Sequence, residues 1–344
     1  MRDATGSPRA ISIWWFAFGY FACYAPYSAL AKALSDGRIP GMRRGVPSFE
    51  LLPVSTLSSL VGMFVFLTTV GWWKYAGRAR VGKWTIPFPS RWTFLSGVCT
   101  SAILLTTTLA YTFHGVSIVF VMLLMRGGVL VLAPVVDLVS GRRTRWFSWA
   151  ALLLSLSALL VPFFGRAAFA LTVACGVDVA IYLVSYFIRL RFMSRLAKGD
   201  DPNANVRFFV EEQMVATPVA VLALAAMALV GRGTTAAQLQ SGFTSFWSSP
   251  VLAYVIVMGI LSQGTGVFGG LILLDKRENT FCVPVNRCSS VLAGVLASYG
   301  LTWFFHVRAP SHQELFGAAL IISAIGFLSI PPLLERRRAR GSRQ

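Results

Sequence analysis

Ten apolar stretches, each about long enough to cross a bilayer, fill most of this chain. They run approximately over residues 11–34, 50–73, 92–113, 115–139, 146–164, 168–192, 206–230, 251–274, 281–304 and 311–334. A helix needs about 20 mostly apolar residues to cross the hydrocarbon core. The sequence therefore predicts an all-α membrane protein with ten transmembrane helices, spans 1 to 10. Composition agrees, since only 13% of the residues are charged, against about 25% in soluble domains.

The formal net charge is +18, but the basic residues lie in short segments between apolar runs. There they set topology and meet anionic headgroups, so nucleic acid is not an expected partner. With the N-terminus in the cytoplasm, 22 of the 31 Lys and Arg fall in inner segments or at the span ends that adjoin them (Arg189, Arg191 and Arg207) and 6 in outer segments, while Lys32, Arg126 and Arg287 lie elsewhere within spans. This is the bias of the positive-inside rule. A missed or added span would reverse every later loop, so an even count with both termini cytoplasmic is expected. Span 1 is too long for a cleaved signal sequence. The five cysteines have no metal or redox spacing. Most tryptophans sit at span ends, as an interfacial belt does. Arginine outnumbers lysine 26 to 5, which suggests a GC-rich genome and favours a bacterial inner membrane over an organelle membrane.

The chain also hints at duplication. Phe120 and Arg126 in span 4 are six residues apart, as are Phe281 and Arg287 in span 9, at an offset of 161. Five spans per half is an odd number, so the second half would be inserted upside down. Such inverted repeats place a transporter's substrate site near the midplane where the halves meet. The expected organisation is a cytoplasmic N-terminal segment (1–10), two inverted five-helix repeats (11–164 and 168–334) and a basic cytoplasmic tail (335–344).

With this layout the chain resembles the drug/metabolite transporter superfamily over nearly its whole length. The string NTFCVPVNRCSSVLAGVLASYGLTWFF, followed by FGAALIISAIGFL, is similar to the ninth and tenth helices of nucleotide-sugar and triose-phosphate translocators. VMLLMRGGVLVLAPVVDLVSGRRTRW resembles the superfamily's hairpin of helices 4 and 5. In those translocators a basic residue or pair early in helix 9 binds the substrate's phosphate. The resemblance implies that role for Arg287. Asn286 stands where the second charge of a pair would be.

The residues themselves point the same way. Arg126 lies about twelve residues into span 4, roughly 17 Å deep at ~1.5 Å per residue. Burying a guanidinium in hydrocarbon costs at least ~2.5–3.5 kcal/mol, so Arg126 and Arg287 are expected to face a shared cavity. Their fork of donors suits phosphate or carboxylate. The alternative is that each is neutralised by a buried acid or by helix-end carbonyls. Asp178, mid-way along span 6, is either a proton or cation coupling site or the counter-ion of an arginine. Glu211 and Glu212 read as the opening of span 7, where the helix dipole favours carboxylates, either as surface caps or as a gate. Gln263, Tyr182 and Tyr186 are candidates for neutral hydrogen bonds to substrate. Asp137 reads as an interfacial ion-pair partner, Lys32 as a snorkelling side chain and His114 as a structural residue in a tight turn. Gly259, Gly264, Gly266, Gly269 and Gly270 give span 8 a small face, suited to close packing or a cavity wall.

No GxxxxGK[ST], HExxH or GxSxG string is present, so neither enzymatic activity nor a cofactor or metal is expected. The expected function is secondary active transport or exchange of a small organic anion, of the phosphorylated-metabolite or nucleotide-sugar class, by alternating access. Its partners would be that small molecule and the lipid bilayer, with a homodimer compatible with the sequence. A competing reading is an exporter of amino acids, metabolites or hydrophobic drugs, with an aromatic cavity and arginines tied up in ion pairs. A more distant one is an intramembrane enzyme or receptor, which calls for clustered catalytic groups or a large extramembrane domain.

Overall fold

The computed structural model describes residues 13–42, 44–81, 84–112, 118–130, 173–197, 203–275 and 279–341, with isolated positions 132, 150, 153, 154, 157 and 201. Helix α1 (Ile13–Ser35) and helix α2 (Ser48–Thr69) open the fold. The turn between them needs Gly37, whose φ is +68° and whose Cβ position lies 2.6 Å from the Gly45 nitrogen. A two-stranded antiparallel hairpin, β1 (Arg78–Val81) and β2 (Trp84–Pro87), leads into α3 (Arg91–Thr112). Helix α4 begins as Ile118–Met122, passes through a π-helical turn at Leu123–Gly127 and is helical again over 128–130. Next come α5 (Val173–Leu196), α6 (Ala204–Val230) and a short α7 (Thr234–Phe243). Helices α8 (Leu252–Leu274), α9 (Asn279–Phe305) and α10 (His312–Gly341) follow. Pro26, Pro53 and Pro218 sit inside helices. Membrane helices tolerate this because neighbouring groups satisfy the freed carbonyls.

Six of these helices, α2, α3, α5, α6, α8 and α9, are long and apolar enough to cross a membrane. Their outward faces carry exposed Val65, Ile181, Leu222, Val257 and Leu296. In water such surface would be a binding or aggregation patch; in lipid it is solvated. The chain is an integral, multi-pass, all-α membrane protein.

Predicted spans 1, 2 and 3 correspond to α1, α2 and α3, span 4 to α4, and spans 6 to 10 to α5, α6, α8, α9 and α10. The isolated positions aside, span 5 lies outside the described residues, as do His114, Asp137, the segment 1–10 and the junction of the two expected halves. Hydropathy misplaced several boundaries, because helical hydrogen bonding does not stop where hydrophobicity does. Helix α10 runs on to Gly341, through most of the expected tail. Helix α6 starts at Ala204, which puts Glu211 and Glu212 two turns inside it rather than at its N-terminus. Lys32 is also corrected: it is buried and paired with Asp36 at 3.4 Å, so it does not snorkel.

Helix α1 packs on α8 and α9, α3 on α5 and α6, and α2 on α8, α6 and α7. The small face of α8 makes the first and third of these contacts possible. A Cβ on Gly259 would lie 2.2 Å from the Ser55 carbonyl oxygen of α2, one on Gly269 2.9 Å from the Tyr20 ring of α1, and one on Gly270 2.7 Å from the Phe209 ring of α6. Ser59 Oγ uses the same close approach to donate to the Gly259 carbonyl at 2.6 Å.

Candidate substrate site

One stripe of α5 organises the interior. Cys175, Asp178, Tyr182, Ser185, Tyr186, Arg189 and Met193 are its buried residues, and their spacing of three and four places them on one face. Helix α4 meets this stripe at its π turn. Turns of this kind are frequent at functional sites, and this one holds Arg126. A Cβ on Gly128 would lie 2.7 Å from the Leu183 side chain, so the α4 backbone runs against α5 beside Tyr182.

Arg126 donates to the hydroxyls of Tyr182 (through Nη1) and Tyr24 (through Nη2). Its guanidinium lies over the Tyr24 ring at 5.1 Å and the Tyr182 ring at 5.6 Å. Arg287, fully buried on α9, lies over the Tyr186 ring at 4.5 Å and sends Nη1 toward the same Tyr182 hydroxyl at 3.5 Å. Cation–π contact of this kind stabilises a desolvated charge by about 2 kcal/mol. The Tyr24 hydroxyl is shared onward with Tyr111 at 2.6 Å.

Neither arginine is neutralised by a carboxylate among the described residues. The ion pairs found there are Lys32–Asp36, Arg189–Glu212 and Arg207–Glu211. Two guanidiniums that meet at one hydroxyl repel each other by roughly 3 kcal/mol at an effective dielectric near 20. Donors are also left over: Arg126 Nε, Arg287 Nε and Arg287 Nη2 have no hydrogen-bond partner among the described residues. Unsatisfied buried donors cost about 1–3 kcal/mol each, more when charged. An oxyanion would relieve both deficits.

Beside the pair is a cavity of about 90 Å³ walled by Tyr20, Tyr24, Tyr186, Arg126, Asn286 and Gln263 among others. It would hold about three waters at ~30 Å³ each, well short of the ~300–1,000 Å³ typical of metabolite pockets. Arg126 lines it. Arg287 does not, so the expected shared cavity is faced directly by one arginine only. Gln263 Nε2 donates to Gln213 Oε1 at 3.1 Å across the wall, and Asn286 Nδ2 reaches the Gly269 carbonyl at 3.4 Å. Asn286 Oδ1 and Thr217 Oγ1, both on the wall, are buried without a hydrogen-bond partner among the described residues. Gly266 has nothing within 4 Å of its Cβ position and lines the cavity, so the small face of α8 is both packing surface and wall.

Glu211 and Glu212 are structural clamps rather than surface caps. Glu212 takes a two-point bond from Arg189, Nε to Oε1 at 2.8 Å and Nη2 to Oε2 at 2.7 Å. It also accepts from Ser96 Oγ at 2.6 Å and Thr100 Oγ1 at 3.0 Å on α3. Glu211 accepts from the Gly77 and Ser90 amides at 3.0 and 3.1 Å, from Thr93 Oγ1 at 2.7 Å and from Arg207 Nε at 2.9 Å. Asp178 is buried one turn from Tyr182, with Oδ2 unbonded among the described residues; it does not line the cavity or pair with either arginine.

Sequence reasoning did not foresee Arg189, Gln213 or the α1 tyrosines. A signal for the last was available. The spacing Tyr-x-x-x-Tyr occurs as Tyr20–Tyr24 and as Tyr182–Tyr186, at an offset of 162, next to the arginine offset of 161. The two arginine–ring contacts, Arg126 on Tyr24 and Arg287 on Tyr186, repeat the same relation in space. By charge alone Arg189 groups with the basic residues at the inner end of span 6, although it is seven residues beyond Tyr182 on one helical face.

No protein-family model and no curated protein matches this chain. Among solved structures, 22 chains match. One, described only as the crystal structure of a protein, aligns with 94% of this chain and 97% of its own length at a TM-score of 0.57 and 16% identity. At that identity the likeness shows a shared fold and nothing more.

Proposed function

We propose that this protein is a secondary transporter that moves a small organic anion by alternating access. The observation that carries this reading is the pair of buried guanidiniums, Arg126 and Arg287, which meet at the Tyr182 hydroxyl with spare donors and no carboxylate partner among the described residues. In this reading they bind the charged end of the cargo, of the phosphorylated-metabolite or nucleotide-sugar class. Asn286, Gln263 and Tyr186 hydrogen-bond the remainder, the Tyr182 hydroxyl holds the two arginines in the absence of cargo, and Asp178 serves ion coupling. The narrow cavity fits a closed state that parts to admit cargo.

Helix packing supports the architecture of ten spans in two inverted halves. Shifting by five spans turns the α1–α8 contact into α5–α3, and the α2–α8 contact into α6–α3; all four occur. The basic inner segments support cytoplasmic termini. The exporter reading draws on the tyrosines lining the cavity, but it also requires arginines locked in ion pairs.

The test is thermal unfolding of the purified protein with phosphorylated and non-phosphorylated metabolites. A ligand that binds only the folded state at 100 times its Kd stabilises it by about 2.7 kcal/mol. Phosphorylated compounds should raise the unfolding temperature of the parent protein and not of Arg126→Gln or Arg287→Gln. Uptake of the same compounds into proteoliposomes should fail in both variants. Stabilisation by uncharged compounds alone, or undiminished anion uptake by both variants, refutes the proposal.

A further inference from the structure

The hairpin of β1 and β2 has two chemically distinct faces. Cross-strand partners lie on the same face of an antiparallel pair and side chains alternate along each strand. The register pairs Arg78 with Pro87 and Arg80 with Thr85 on one side, and Ala79 with Ile86 and Val81 with Trp84 on the other. The second side continues past the strand to Phe88. Trp84, Ile86 and Phe88 are 78%, 41% and 55% exposed, a continuous apolar stripe. Arg78 and Arg80 are exposed on the opposite face, and exposed Lys74 and Arg91 flank the hairpin.

Its place in the fold narrows what can cover it. The hairpin bridges α2, which ends at Thr69, and α3, which begins at Arg91, and both helices are long and apolar enough to cross a membrane. It therefore sits at one membrane surface. A strand of four residues reaches only about 13 Å, so every basic side chain on it stays near the headgroups. An isolated two-stranded hairpin is marginal in water. This one is held at its base: the Phe88 amide donates to the Gly77 carbonyl at 2.7 Å, and Glu211, 1% exposed, accepts from the amides of Gly77 and Ser90, one on each stem. A buried carboxylate thus fixes the orientation of a surface whose own two faces are bare.

We infer that this hairpin is a docking surface for anionic lipid headgroups, with Arg78 and Arg80 contacting the headgroups and Trp84, Ile86 and Phe88 lying at the boundary with the acyl chains. The charge complements an anionic leaflet, and the aromatic stripe suits the interface, where amphipathic rings collect. The inference does not depend on what the protein transports.

The full-length protein is reconstituted in phosphatidylcholine vesicles that carry a brominated quencher on either phosphatidylglycerol or phosphatidylcholine. The emission of Trp84 is taken as the difference between the parent protein and Trp84→Phe. Brominated phosphatidylglycerol is expected to quench that emission more strongly. The preference should fall about fivefold for each arginine removed in Arg78→Gln/Arg80→Gln, shrink in high salt and survive in Arg78→Lys/Arg80→Lys. Both arginines are exposed, so these variants remove no core packing, and gel filtration verifies their fold. Equal quenching by the two lipids, or a preference untouched by the glutamine substitutions, overturns the inference. So does the absence of any Trp84 quenching, which would mean that the hairpin faces water and serves a soluble partner.

Discussion

Replacing Glu212 by alanine should cost this protein more stability than almost any other single change. Glu212 is 0% exposed, and its partner Arg189 is 5% exposed. Truncating the carboxylate leaves a buried guanidinium uncompensated, which costs about 3–5 kcal/mol. The hydroxyls of Ser96 and Thr100 lose their acceptor as well, at about 1 kcal/mol between them. Unfolding entropy of about 2.1 cal/mol/K per residue gives about 0.7 kcal/mol/K for a chain this long, so the Tm should fall by roughly 6–8 °C. The assay is scanning fluorimetry in detergent at one fixed scan rate, because irreversible unfolding makes the midpoint rate-dependent. The decisive comparison is Arg189→Leu/Glu212→Leu. Removing both charges and filling the space with apolar side chains is often neutral, so the double variant should melt well above Glu212→Ala. A double variant that loses the sum of the two single losses, or a Glu212→Ala shift below about 2 °C, refutes the reasoning.

Tyr182→Phe removes the hydroxyl shared by both arginines and should cost about 1.5–3 kcal/mol of stability; the stabilisation by a bound anion should be retained or enlarged, because the guanidiniums lose a competing partner, and titration of the melting temperature with phosphate reads both effects. Gly259→Val drives a side chain into the Ser55 carbonyl that lies 2.2 Å from the Cβ position, separates α2 from α8 and should cost about 1–3 kcal/mol or more, whereas Gly266→Ala, with nothing within 4 Å, should leave the Tm unchanged. Glu211→Ala releases both stems of the hairpin, and hydrogen exchange at the Gly77 and Ser90 amides should quicken by about tenfold or more while exchange in α5 is unaffected.

The membrane-spanning character was legible because a spanning helix must be long and apolar, and no interior packing can disguise that. Arg126 and Arg287 were legible for a related reason: a charge inside an apolar run is conspicuous. Their surroundings were not. Whether a buried arginine meets a carboxylate or a tyrosine depends on the faces of four different helices: Tyr182 and Tyr186 stand out as candidates in the sequence, but nothing in the apolar run of α1 itself singles out Tyr24. Arg189 and Glu212 illustrate the same gap, since each lies beside further charges, so that Arg189 reads as an inner-segment charge and Glu212 as a cap or gate at the opening of span 7 until α5, α6 and α3 are seen together. Helix α7 and the hairpin escaped notice because they are short, mixed in polarity and outside any hydropathy window.

The Tyr182 hydroxyl carries two lone pairs, and two guanidiniums draw on them. For a carrier, this sets a rivalry between rest and work. In the transporter proposed above, cargo that engages Arg126 would take it from an oxygen carried by α5, so loading and unfastening would become a single event. An empty molecule would stay fastened by the contact its passenger breaks, which would suppress futile cycling without a separate lock.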